Sequence, residues 1–288
     1  MEGKILANIR GVYTIYADGV NYNVFSRGHL RHENKKLLVG DDVIFDEETL
    51  TIEDVKDRKN ELIRPKSSNI DELLIAMSLK EPDYSSELIY KFLTYANMNN
   101  IPASVILTKA DLVDDFTNIN ILKGDLEKLG IKVFILSPKD KERIAELKEH
   151  LKGKSTLFMG QTGVGKSTLM NEIDHSFNRL IGEYSVALNR GKHKTKEVVL
   201  FPYNDGFIGD TPGFSSLELD LFKEDLASYF PGYNKYYLDC YFSDCLHQNE
   251  KDCKIKEEIT KGNLSNDAYQ VYLKLLNELP YRKERYKR

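Results

Sequence analysis

The octapeptide Gly160-Gln161-Thr162-Gly163-Val164-Gly165-Lys166-Ser167 constrains this chain more than any other segment. It fits G-x-x-x-x-G-K-[ST], follows the apolar run STLFM (155–159) and opens the helix-patterned STLMNEI (167–173). Its glycines let backbone N–H groups approach a phosphate closely, while a lysine reaches the β and γ oxygens and a hydroxyl serves Mg²⁺. Lys166 and Ser167 take those last two roles, with Thr168 next in line. A glycine-rich turn that binds nothing could show the same letters. The strand before it and the helix after it argue against that.

Such a loop needs a parallel sheet to sit in, and the flanking sequence supplies one. From Asp71 to about Asp210 the chain alternates strand-like runs (ELLIAM, ASVILT, KVFIL, STLFM) with helical patterns. One helix carries Leu88, Ile89, Phe92, Leu93 and Ala96; others fall at 118–129 and 139–151. This alternation predicts a mostly parallel sheet covered on both faces, with ligands at the carboxyl ends of its strands.

Residues 1 to about 64 have a different pattern. Val12–Ala17 and Val20–Phe25 are β-branched and aromatic runs around Asp18-Gly19, a strong hairpin signal. With further runs at Asp42–Phe45 and Leu50–Val55, four or five strands are expected, closed as a small OB-type barrel rather than an open sheet. Arg64-Pro65-Lys66-Ser67-Ser68 breaks the pattern and marks a boundary. Beyond about Phe214 the alternation stops, and helical stretches near 254–261 and 265–279 follow a Tyr-rich, Cys-containing segment. The expected division is therefore 1–65, 66–213 and 214–288, a multidomain α/β chain of a length that usually exceeds one domain.

Two strings accompany the phosphate loop. Asp210-Thr211-Pro212-Gly213 ends the strand-like GFIGD, where an aspartate can hold a water on Mg²⁺ and the Gly213 N–H can meet a γ-phosphate. Thr108-Lys109-Ala110-Asp111 ends ASVIL, and the Asp111 carboxylate can accept from both N1–H and the amino group of guanine, a donor pair that adenine lacks. A helix N-cap would be the plain alternative for Asp111. Ser137-Pro138-Lys139, at the end of the next strand, occupies the place of a second base-contacting loop.

In most GTPases the phosphate loop and D-x-x-G precede the base-reading strings; here T-K-A-D and S-P-K come first. In this order the chain resembles the circularly permuted GTPase family RsgA (YjeQ), a family of small-ribosomal-subunit biogenesis factors. Arg27-Gly28-His29-Leu30-Arg31, Val39-Gly40-Asp41 and Arg58-Lys59-Asn60-Glu61-Leu62-Ile63-Arg64-Pro65 add to the likeness, which spans the whole chain. The resemblance implies a Mg²⁺-dependent GTP hydrolase with a weak intrinsic rate that rises on the subunit. Permutation also leaves the D-T-P-G segment running directly into the C-terminal unit, so nucleotide state could pass along the chain by ordering and release of that switch.

Cys240-x4-Cys245-x-His247-x5-Cys253 gathers all three cysteines and a histidine within fourteen residues. Three thiolates and an imidazole make a closed tetrahedral Zn²⁺ set, structural rather than catalytic; buried cysteines packed as small hydrophobes are the alternative. The spacing also matches the zinc site of the family. Three cysteines cannot form a disulfide framework, which fits reduced thiols in the cytoplasm. The N-terminus lacks a signal-peptide run, and no stretch of about 18 apolar residues occurs, so no membrane span is expected.

Phe214 stands where many GTPases place a water-orienting glutamine. His193 in Gly191-Lys192-His193-Lys194-Thr195-Lys196 is the candidate replacement, because the segment resembles the switch I of the family and a neutral imidazole can position water. An exposed surface histidine is the alternative. Lys194 and Lys196 replace two switch threonines, leaving Thr195 as the Mg²⁺ candidate, and Pro138 lacks the N–H that commonly meets guanine O6.

With 41 basic and 45 acidic residues the net charge is −4, which excludes a uniformly cationic nucleic-acid coat but not local patches. Residues 179–196 carry Arg179, Arg190, Lys192, Lys194 and Lys196 against Glu183. The tail at 281–288 carries Arg282, Lys283, Arg285, Lys287 and Arg288, and Arg27, Arg31, Lys35 and Lys36 offer a basic barrel face. Contact with rRNA of the small subunit is expected, solvated charge being the alternative. The leading reading is a monomeric GTPase cycling between GTP and GDP. A nucleotide-gated RNA-binding module with incidental turnover and an ATP-using phosphate-loop enzyme are its rivals.

Overall fold

Asp18 (φ 49°) and Gly19 (φ 82°) both take the left-handed conformation, and the strands on either side pair antiparallel with Ala17 opposite Val20. The computed structural model that shows this describes residues 1–26, 36–137, 139–177, 198–211 and 217–282. The hairpin strands are β2 (Val12–Ala17) and β3 (Val20–Ser26); with β1 (Glu2–Ile9), β4 (Asp42–Asp46) and β5 (Thr51–Val55) they close a barrel in the order β1-β2-β3-β5-β4. Closure leaves no bare edge. Ile5, Ile15, Val24, Val43, Phe45 and Ile52 are wholly buried inside it. β1 carried no clear sequence signal because its register shifts between Ile5 and Ala7, which places Ile5, Leu6 and Ala7 all out of solvent and breaks the alternation.

Two of the strings that carried the family likeness meet at one carboxylate. Asp41, fully buried, accepts from Leu38 N (2.8 Å), Arg58 Nε and Nη2 (2.7 and 2.8 Å) and Ser68 Oγ (2.6 Å). Beside it, a Cβ on Gly40 would lie 2.0 Å from the Ser68 carbonyl oxygen, so only glycine allows the approach. This joint fixes the barrel to β6 (Glu61–Leu62) and β7 (Ser67–Ser68), which lead into the central sheet.

That sheet contains β8 (Glu72–Ser78), β9 (Ala103–Thr108), β10 (Val133–Ile135), β11 (Ser155–Met159), β12 (Val199–Tyr203) and β13 (Gly206–Asp210), ordered β10-β9-β8-β11-β13-β12. All pairs are parallel except β12 with β13. The helices are α1 (Ser86–Met98), α2 (Thr117–Lys128), α3 (Lys141–Leu151) and α4 (Lys166–Ile173). Ser85 Oγ caps α1 through Leu88 N, and Asp140 Oδ1 caps α3 through Arg143 N. The strands of the parallel set are buried on both faces, which explains why they read as apolar runs rather than alternating ones.

Past the sheet lie α5 (Leu226–Tyr229), α6 (Lys254–Thr260) and α7 (Asn266–Glu278). Of these, α5 and α7 pack on α1: Tyr90 stacks on Phe230 at 5.4 Å, Lys91 pairs with Glu278 at 2.9 Å, and Asn97 Nδ2 donates to Tyr229 O. The C-terminal unit thus shares a core with the central sheet. Among the described residues, no helix is long and apolar enough to cross a membrane.

Candidate nucleotide site and metal centre

Parallel strands bring their following loops to one edge, and here that edge gathers the ends of β8, β9, β10, β11 and β13. The glycine-rich loop leaves β11 at Gly160, whose φ is 152°; a Cβ there would sit 2.1 Å from Ala76 O of β8. Gly165, at φ 88°, turns the chain into α4. Lys166 curls beneath the loop, with Nζ donating to Gly160 O (2.9 Å) and Gln161 O (3.0 Å). Burial holds its ammonium below the ordinary lysine range, opposed by the Asp210 charge. Thr162, Gly163, Ser167 and Thr168 are exposed, whereas Val164 is buried.

Asp210 closes β13, and its Oδ1 is buried without a hydrogen-bond partner among the described residues. Burial pushes this carboxyl above its usual range, with the Lys166 charge pulling it back. An unmet buried carboxylate oxygen coupled to the loop lysine suits a hydrated Mg²⁺, which a carboxylate can hold through water. Next to it, Thr211 Oγ1 donates to Phe158 O at 2.7 Å and so fixes the start of D-T-P-G to β11.

The T-K-A-D end of β9 is braced against the glycine-rich loop. Thr108 Oγ1 donates to Val164 O (2.5 Å) and to Met77 O (3.3 Å). Lys109 adopts φ 57° and its ammonium donates to Glu81 O. Thr108, Lys109, Leu136, Ser137, Gly165, Thr168, Leu169 and Glu172 line one cavity of about 160 Å³. Segments far apart in the chain, Thr108-Lys109, Leu136-Ser137 and Gly165 with Thr168, therefore share a wall. Ala110 and Asp111 stand in a 3₁₀ turn beside it; Asp111 is exposed and does not line the cavity.

Leu136, Leu169 and Glu172 were not foreseen as wall residues. A signal existed for two of them: Thr168, Leu169 and Glu172 stand at i, i+1 and i+4 on α4, one helical face that the loop aims at the cavity. Pro138, His193, Thr195, Gly213 and Phe214 lie outside the described residues.

The cysteine cluster forms a second centre. The Sγ atoms of Cys240, Cys245 and Cys253 each lie 3.4 Å from His247 Nδ1, and all four ligand atoms fall within 4.8 Å of one another. Tetrahedral Zn²⁺ with ordinary Zn–S and Zn–N lengths separates its ligands by about 3.5–3.8 Å, so this set fits. Its scaffold is hydrogen-bonded throughout. Glu250 accepts from Leu246 N (2.9 Å) and Gln248 N (2.7 Å), and Lys254 N donates to Cys240 Sγ at 3.3 Å. From α7, Tyr269 Oη donates to His247 O and Tyr272 Oη to Leu246 O. Burial takes the His247 imidazole down to about 4, leaving it neutral as a ligand must be, and pushes the Cys245 thiol up to about 12. A bound cation would reverse the latter, since a coordinating thiol is deprotonated.

Comparisons with known proteins agree with this geometry. The model of the RsgA GTPase family matches residues 55–220, and that of the RsgA N-terminal domain matches residues 2–51. The small ribosomal subunit biogenesis GTPase RsgA 1 of Listeria monocytogenes is 38% identical over 99% of this chain and all of its own length. RsgA of Enterococcus faecalis is 35% identical over 100% of this chain and 98% of its own. Among solved structures, YjeQ from Thermotoga maritima superposes with a TM-score of 0.84 at 31% identity, covering 98% of this chain and 99% of that one. YloQ, described as a circularly permuted GTPase, superposes with a TM-score of 0.79 at 30% identity over 99% and 96% of the two chains. A closed N-terminal barrel, a glycine-rich loop preceded in the chain by T-K-A-D and S-P-K, and a Cys₃His knuckle occur together here, and with two family models and full-length relatives matched the chain belongs to the RsgA GTPase family.

Proposed function

We propose that this chain is a Mg²⁺-dependent GTPase that joins the maturing small ribosomal subunit with GTP bound and leaves after hydrolysis to GDP and phosphate. The observation that carries this reading is the cavity where Thr108, Lys109 and Ser137 meet Gly165 and Thr168, at the carboxyl edge of a parallel sheet. In it, Thr108, Lys109, Ala110, Asp111 and Ser137 take the base, and the backbone of Gly160, Gln161, Thr162, Gly163, Val164 and Gly165 takes the phosphates. Lys166 turns from the loop carbonyls to the β and γ oxygens. Ser167, Asp210 through water, and Thr195 would hold Mg²⁺, which when bound neutralises charge developing on the transferred phosphoryl group. Gly213 meets the γ-phosphate. Asp111, exposed beside the cavity, reaches guanine once a base lies against Lys109.

Phe214 supplies no group to orient water, so intrinsic turnover is slow and the subunit raises it, with His193 as the positioning side chain within this chain. Cys240, Cys245, His247 and Cys253 would hold one Zn²⁺, which when bound crosslinks the knuckle as a structural ion. The barrel (1–65), nucleotide unit (66–213) and C-terminal unit (214–288) act together as a cytoplasmic monomer. The cations at 179–196, in the tail and on the barrel face meet rRNA phosphates. Arg282 already forks onto Asp225 at 2.6 and 2.8 Å, so the tail contact rests on Lys283, Arg285, Lys287 and Arg288.

The test is GTP turnover with and without purified small subunits. Stimulation in the native chain and its loss in Lys166→Ala are the expected results. Equal turnover with and without subunits would favour the second reading, a nucleotide-gated RNA-binding module, which Phe214 keeps in view.

A further inference from the structure

Two rings and a leucine stand in solvent on the metal knuckle. Leu238 is 78% exposed, Tyr241 77% and Phe242 45%. The Tyr241 and Phe242 rings meet edge to face at 4.9 Å. Clustered exposed apolar side chains of this kind mark interaction surfaces.

The loop that presents them is short and held at several points. Its flanking thiols, Cys240 and Cys245, converge on His247 Nδ1; Cys245 N donates to Phe242 O (3.2 Å), and Tyr241 N to Asp252 O (3.4 Å). Little ordering entropy remains to be lost on binding, which favours a specific partner.

Charge then selects the partner class. Residues 236–250 contain Asp239, Asp244 and Glu250 but no lysine or arginine, in a chain with 41 of them. Glu250 is occupied by backbone N–H groups, whereas Asp239 and Asp244 are exposed. Exposed Lys235 and Lys251 bound the stretch, but between residues 238 and 244 themselves the only charges are Asp239 and Asp244, from which a phosphate backbone would meet repulsion beside the rings. An ammonium or guanidinium would find both aromatic faces and carboxylates. We infer that the 238–244 loop is a docking site for a lysine- or arginine-rich segment of a partner protein. The site is separate from the nucleotide cavity and does not depend on the reading given to it.

The experiment uses the full-length zinc-loaded chain and fluorescence anisotropy of two labelled probes: a ten-residue Arg/Gly peptide and a ten-nucleotide oligouridylate. The double variants Tyr241→Ala/Phe242→Ala and Asp239→Asn/Asp244→Asn are each expected to weaken the peptide about fivefold or more. Both should leave oligouridylate binding unchanged, and a control at Glu47→Gln/Glu48→Gln on the barrel should leave the peptide unchanged. Zinc content near one per chain verifies the fold; if the aromatic pair variant loses metal, the aspartate variant and Tyr241→Ser decide. Peptide affinity untouched by the knuckle substitutions, or weakened equally by the barrel control, overturns the proposal. Weakened oligouridylate binding in the aromatic variant overturns it in favour of base stacking by RNA.

Discussion

The Thr108 hydroxyl donates to the Val164 carbonyl at 2.5 Å, tying the T-K-A-D string to the middle of the glycine-rich loop 56 residues later. In a permuted chain these two motifs have exchanged order, yet the sheet brings them back to one cavity wall. Thr108→Val removes the donor and leaves a buried carbonyl unpaired, a cost of about 1–3 kcal/mol. Binding of a fluorescent GTP analogue should weaken about tenfold, and Thr108→Ser should restore it. Unchanged affinity in Thr108→Val would show that the brace is unconnected with binding.

The unmet Oδ1 of Asp210 separates stability from binding. Asp210→Asn relieves the desolvation of that carboxylate but takes away the charge that opposes burial of the Lys166 ammonium, so the two effects offset and the nucleotide-free protein should stay within about 1 kcal/mol of the native stability. Mg²⁺-dependent tightening of GTP should be lost at the same time. Parallel melts and nucleotide titrations with and without Mg²⁺ check both halves.

Acid stability should depend on Glu72, at the opposite end of β8. Burial raises its carboxyl, but hydrogen bonds from His150 (2.8 Å) and Ser104, with Lys154 at 3.1 Å, more than offset this and hold it below the ordinary range. A depressed carboxyl contributes stability fully above its unfolded value, near 4.3, and loses it as pH falls through the lower folded value. Glu72→Gln is therefore expected to cost roughly 2 kcal/mol at pH 7 and progressively less through the acid limb of urea unfolding. A constant cost at every pH would rule out this linkage.

Metal removal should loosen more than the knuckle. Tyr269 and Tyr272 bond to backbone beside His247, and Tyr272, Tyr233 and Phe230 form a continuous ring cluster reaching Tyr90 on α1. Chelation or Cys253→Ser should abolish zinc binding and expose the amides of α7 and α1 to hydrogen exchange. Protection confined to its native level in α1 would mean that the ring cluster stands without the metal.

Much of this was legible in the sequence because the informative signals were local. The phosphate loop, the Asp18-Gly19 turn and the cysteine spacing each carry their geometry within a few residues. What escaped depends on partners distant in the chain. The Asp41 joint needs Arg58 and Ser68, and the cavity wall needs Leu136 beside Leu169 and Glu172. β1 escaped for a different reason, since its bulge breaks the alternation by which strands are recognised.

The most direct measurement is nucleotide competition in GTP hydrolysis for the native chain and Asp111→Asn. In the proposed site the Asp111 carboxylate would accept from the N1–H and amino groups of guanine, whereas an asparagine amide would offer a donor to the C2 carbonyl of xanthine. The expected result is that ATP fails to compete in the native chain and that Asp111→Asn shifts preference from GTP toward XTP. ATP competing equally with GTP, or an unchanged preference in Asp111→Asn, would contradict the assignment of this cavity as a guanine nucleotide site.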